Sequence, residues 1–125
     1  MVQTKENEPM TIRECYEMMG AGYEDVLGRF GSEKLIEKFA VRFLADTSYQ
    51  ELKDALDAQD AETAFRMAHT LKGVCLNLGF DRLYKVSADL TEMLRGGSLE
   101  GSREQFAKVE EEYNHTIDAL KQLEA

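Results

Sequence analysis

From residue 11 onward the chain is cut into helix-length pieces. Runs of apolar residues spaced three and four apart end at glycine and restart at Ser, Thr or Asp, and the 125 residues hold a single proline. A proline inside such a run would remove an amide donor and break the helix; this one lies in the polar opening MVQTKENEP, ahead of the pattern. Thr11 with Glu14 reads as a capping box before IRECYEMM, and Gly20 and Gly22 end that short helix. A second short helix is expected over about Tyr23 to Phe30, stopping at Gly31. Ser32 then caps a run from Glu33 to about Ala45, in which Leu35, Ile36, Phe39, Phe43 and Leu44 recur at helical spacing. Thr47, or Ser48 with Glu51 three residues on, restarts the chain with Leu52, Ala55 and Leu56 facing inward. One long bent helix is an alternative for these two pieces.

Asp60 and Gly79 are placed to cap the two ends of the next helix, and another runs from about Asp81 to Arg95 before Gly96-Gly97. The last starts at Ser102, where Gln105 would complete a capping box, and carries Phe106, Val109, Tyr113, Ile117, Leu120 and Leu123 on one face. Four main amphipathic helices joined by short turns predict an all-α fold: an antiparallel up-and-down four-helix bundle with short additional N-terminal helices. Residues 1–10 read as a polar tail and 11–125 as one domain, a length that suits a single core.

Charge and cysteine usage narrow the function classes. A formal net charge of −9 argues against nucleic acid, whose phosphates are held by clustered Lys and Arg. No apolar run approaches the roughly 18 to 20 residues of a membrane span, and the first residues hold no signal-peptide core, so a cytoplasmic protein is expected. Cys15 and Cys75 lack metal-type spacing and are expected to be reduced, buried thiols. The six methionines read as core filler, and the acidic stretch KVEEEYN as a solvated helix face.

The helix holding AHTLKGVCLNLG is the one that carries chemistry. At about 100° per residue, Ala61, Ala64, Phe65, Ala68, Leu71, Cys75 and Leu78 form one broad core stripe. His69 lies roughly 120° from its centre and points outward. Glu62, Arg66, Lys72, Gly73 and Leu76 gather around it, because positions three and four apart share a helical face. Glycine within a helix costs about 1 kcal/mol relative to alanine, so something gains from the side chain missing at Gly73. It leaves room for a bulky group to reach the imidazole, while Lys72 brings an ammonium beside an anion held there. A neutral imidazole is a nucleophile near pH 7, and the arrangement suits a phosphohistidine.

AHTLKG followed by NLG, with LTEML on the next helix, resembles the histidine-containing phosphotransfer (HPt) domain of bacterial multistep phosphorelays, and VLGRFGSEKLIEKFAVRFLAD resembles that family's opening helices. The resemblance covers roughly residues 20 to 123. It implies that His69 is phosphorylated, that Lys72 steadies the phosphoryl oxygens and that Gly73 gives clearance to a partner. The partners implied are response-regulator receiver domains and a hybrid sensor histidine kinase; the carrier accepts a phosphoryl group from an aspartyl phosphate on one receiver and passes it to another. It has no cofactor of its own, Mg²⁺ belonging to the receiver. No Gly-rich nucleotide loop is visible, so the chain is not expected to use ATP or to act as an autonomous kinase.

Arg66, Thr70, Leu76 and Asn77 are candidate partner contacts, with the helix from Glu33 to Ala45 supplying neighbours that the pattern does not identify. A monomer would leave this face free. Family members often carry Ser or Ala after the glycine, where this chain has Val74 and Cys75; Val74 has the alternative of packing into the core. Two other readings stand beside the carrier. One is a degenerate adaptor that binds receivers without transfer. The other is a haem or metal carrier using His69 and His115, against which the outward position of His69 argues.

Overall fold

Every element that the caps predict forms. The computed structural model describes residues 10–124, and among them the chain is all-helical: α1 (Ile12–Met19), α2 (Tyr23–Phe30), α3 (Glu33–Arg42), a 3-10 turn (Phe43–Ala45), α4 (Ser48–Asp57), α5 (Ala61–Leu78), α6 (Asp81–Leu94) and α7 (Ser102–Glu124). Apart from Met10, the tail expected over residues 1–10 lies outside the described residues. The capping box at α1 is complete, with Thr11 Oγ1 accepting from the Glu14 amide at 3.1 Å and the Glu14 carboxylate accepting from the Thr11 amide at 2.9 Å. Ser32 accepts from the Leu35 amide at 3.2 Å and Asp60 from the Thr63 amide at 3.1 Å. Each satisfies a donor that a helix start otherwise leaves unpaired.

Two helix starts are built differently from expectation. Between α3 and α4 the chain tightens into the 3-10 turn and then becomes extended at Asp46, so the two helices are separate rather than one bent rod. The Asp46 carboxylate, not Thr47 or Ser48, accepts from the Ser48 amide at 2.9 Å and from the Ser48 hydroxyl, while the Thr47 hydroxyl donates to Glu51. At α7 no capping box forms. Ser102 is buried and donates to the Leu99 carbonyl at 2.6 Å, and Gln105 donates across to the Val86 carbonyl on α6 at 3.0 Å. Both polar side chains are spent on contacts with neighbouring segments because burial obliges them to find partners there.

Helix α5 packs against α4 on one side and α6 on the other; α6 also packs on α7, which α1 covers. Buried Ala64 and Ala68 on α5, with no bulk beyond a methyl, allow close approach to these neighbours. Leu52, Leu71, Leu83, Leu90 and Leu120 from α4, α5, α6 and α7 are fully buried, each such side chain contributing roughly 1.5 to 3 kcal/mol. Aromatic rings close the other side: Phe43 meets Phe80 edge-on at 5.3 Å, and Tyr49 of α4 stacks on Tyr113 of α7 at 3.8 Å. Cys15 and Cys75 are buried and free, in keeping with the expected reduced thiols, and burial pushes the Cys15 thiol up to about 11. No helix among the described residues is long and apolar enough to cross a membrane.

Candidate functional site

The rotation of α5 is set by its buried stripe. Ala64, Ala68, Leu71, Cys75 and Leu78 are all buried, and with those positions inward His69 is left exposed. The C-terminal end of the helix is held from outside as well. Gly79 adopts the left-handed conformation, φ 71°, and the Phe80 amide closes back on the Cys75 carbonyl at 2.9 Å. The buried Tyr16 hydroxyl donates to the Leu78 carbonyl at 2.6 Å, and Arg29 of α2 donates to the carbonyls of Leu76 and Asn77 at 3.1 and 3.0 Å. Carbonyls that a helix end leaves unpaired are thereby satisfied by the N-terminal helices.

On the outward face the residues expected from sequence lie together. Arg66, His69, Thr70, Gly73, Leu76 and Asn77 are exposed and Lys72 is half-buried. Leu76 is 56% exposed, an apolar side chain standing in solvent one turn beyond Gly73. The Thr70 hydroxyl donates back to the Arg66 carbonyl at 3.0 Å, so it is already paired within the helix. A Cβ built on Gly73 would meet nothing within 4 Å. The fold itself therefore gains nothing from glycine at this position. Val74 is half-buried and packs against the core, the alternative left open for it, and Cys75 is fully buried.

Two groups of neighbours were not legible in the chain. On one side, Phe39 and Arg42 of α3 line a shallow recess with Val74 and Asn77 of α5, and the Arg42 guanidinium lies 5.1 Å from the Phe39 ring centre. On the other, the Phe65 ring lies 6.1 Å from the His69 ring, and the Arg95 guanidinium sits 5.2 Å from the Phe65 ring centre. Arg95 in turn binds both oxygens of Glu92 on α6 at 2.8 and 3.0 Å. The Glu92 carboxyl is held below the usual carboxylate range, chiefly by that hydrogen bond with Arg95, with Lys72 and His69 adding to the pull. The three-residue spacing of Glu92 and Arg95 was a visible hint of a pair on α6; the proximity of that pair to His69 depends on how α6 turns against α5.

Chemically, the face offers an accessible imidazole nucleophile, an adjacent ammonium, flanking guanidiniums and an open approach. His115 is half-buried on α7. Among the described residues no group of three or more His, Cys, Asp or Glu side chains is arranged to hold a metal ion.

A family model described as the Hpt domain matches residues 44–124, the span from the end of the 3-10 turn through α7. No curated protein and no solved structure matches the chain.

Proposed function

The chain belongs to the Hpt domain family, and from that membership we propose that His69 is a reversible phosphoryl carrier between receiver domains. The observation that carries this reading is Gly73: an exposed helical glycine, one turn after an exposed histidine, with open space where its side chain would be. Its cost to the helix is offset only if something from outside needs the clearance.

In the forward step a neutral ring nitrogen of His69 attacks the phosphorus of an aspartyl phosphate on a receiver. The N–P bond forms, the acyl-phosphate P–O bond breaks, and the aspartate leaves as a carboxylate with the electron pair. The return step reverses this on a second receiver. Lys72 stands beside the phosphoryl oxygens as a point charge, and Gly73 lets the partner's backbone close in. Arg66, Leu76 and Asn77, together with Phe39 and Arg42, form the docking surface; Thr70 contributes bulk, its hydroxyl being occupied. The receiver supplies Mg²⁺, and a hybrid sensor histidine kinase feeds the relay. In this reading α4 to α7 form an up-and-down four-helix bundle, α1 to α3 cover it, and the protein works as a cytoplasmic monomer.

The test is phosphoryl transfer from a panel of phosphorylated receiver domains to wild type and to His69→Gln. Acid-labile, base-stable label on wild type alone is the expected result. A receiver that binds wild type and never labels it makes the protein an adaptor instead.

A further inference from the structure

The Arg95–Glu92 pair beside His69 places an acidic group where a phosphoryl carrier has a reason to exclude one. The phosphorylated ring gains negative charge, and a neighbouring anion raises its energy. This placement is not a by-product of core packing. Arg95 and Glu92 are both exposed, with side-chain exposures of 53% and 62%, and neither contributes to the buried core. Their geometry is nonetheless defined: the guanidinium takes both carboxylate oxygens and lies against the Phe65 ring, which is the ring nearest to His69 along its own helix. Phe65 precedes His69 by one turn on α5, so the platform sits immediately beside the imidazole.

Resting on the reading of His69 as the phosphoryl acceptor, we propose that the Glu92 carboxylate sets how readily the phosphoryl group leaves, with Arg95 as the residue that positions it. Arg95 fixes the carboxylate against the phosphohistidine, and the repulsion between the two is relieved when the group departs. Lys72 and Glu92 then act in opposite senses on the same phosphoryl group, one holding it and the other urging it onward. A carrier needs that balance, because a phosphohistidine that is too stable would accept the group and fail to pass it on. The Glu92 carboxyl is held low chiefly by Arg95, with smaller pulls from Lys72 and His69, in keeping with this placement.

The experiment uses the full chain and phosphoramidate as a small-molecule phosphoryl donor. In labelling, the P–N bond of phosphoramidate breaks, ammonia leaves and an N–P bond to the imidazole forms. In decay, water attacks phosphorus, the electron pair returns to the ring nitrogen and phosphate is released. Loss of label is followed by phosphorus NMR for wild type, Glu92→Gln, Arg95→Gln and the double variant, with His69→Gln giving the background from His115. The expected result is decay about three- to ten-fold slower in Glu92→Gln at low salt, the difference narrowing at about 1 M salt where charges are screened. Glu92→Gln should also slow decay in the Arg95→Gln background. If it does not, the carboxylate acts only by occupying Arg95 and the proposal is overturned. Equal decay of wild type and Glu92→Gln overturns it too, while leaving His69 as the acceptor. Absence of any His69-dependent label removes the underlying reading, and this inference with it.

Discussion

A Cβ on Gly79 would stand 2.2 Å from Cγ2 of Val26, so the end of α5 and the middle of α2 meet with no room for a side chain. The same residue sits at φ 71°, where any side chain is strained, and the Gly22 amide donates to its carbonyl at 3.1 Å. Gly79→Ala combines a left-handed penalty of about 1 to 2 kcal/mol with overpacking of about 1 to 3 kcal/mol. The expected loss is therefore about 2 to 5 kcal/mol. Urea unfolding checks it, and a loss of only about 1 to 2 kcal/mol, the left-handed penalty alone, would mean that α2 is free to move away from α5.

Gly73 should behave in the opposite way. It lies inside α5 with open space around the missing Cβ and without a positive φ. Gly73→Ala is expected to stabilise the protein by about 0.5 to 1 kcal/mol through helix propensity alone, while lowering the rate of transfer from a receiver. Gly73→Leu should keep the fold and abolish transfer. A substitution that raises the melting temperature and lowers function separates a docking glycine from a structural one. Transfer unchanged in both variants would remove the steric role.

The contrast between these glycines shows what was legible beforehand. Thr11 with Glu14, Asp60 and Gly79 act on backbone groups within a few residues, so their meaning survives without a third dimension. The same holds for His69, Lys72 and Gly73, which one helix brings to one face. Ser102 and Gln105 match the capping pattern equally well, yet their side chains are drawn to Leu99 and to Val86 on α6. Nothing local distinguishes a polar residue that will cap from one that will be buried against a neighbour. Phe39 and Arg42 beside Val74, and Arg95 and Glu92 beside His69, are of the second kind: they depend on how α3 and α6 turn against α5.

Burial of acidic side chains in their neutral form predicts a loss of stability in alkali. The Cys15 thiol is pushed up to about 11 by burial, and burial likewise raises Cys75, Tyr16 and Tyr49. Their contribution is fully present below the unfolded thiol value of about 8.5. As the pH rises beyond it, the unfolded chain ionises first and binds fewer protons than the folded one, so stability falls through the folded value. Urea midpoints should be flat from about pH 7 to 8.5 and drop progressively toward pH 11. Cys15→Ala, whatever it costs at neutral pH, should show a shallower drop across that window; an identical slope would mean that Cys15 ionises as easily folded as unfolded.

Arg42 offers a way to separate docking from chemistry. It is exposed on α3, lies over Phe39, and borders the recess shared with Val74 and Asn77, yet it has no part in the cluster around the imidazole. Helix α3 also carries Lys34 and Lys38 at four-residue spacing ahead of it, which gives one stripe of positive charge on a protein of net charge −9. A receiver presents its phosphoryl group from an acidic pocket, and charge of opposite sign accelerates encounter far more than it strengthens the final complex. Arg42→Glu is therefore expected to slow transfer from a receiver by about ten-fold at low ionic strength, with the deficit shrinking as salt screens the encounter. Labelling of His69 by phosphoramidate, which needs no docking, should be unchanged in the same variant. If both reactions slow together, Arg42 acts on the imidazole rather than on the partner, and the docking surface must lie away from α3.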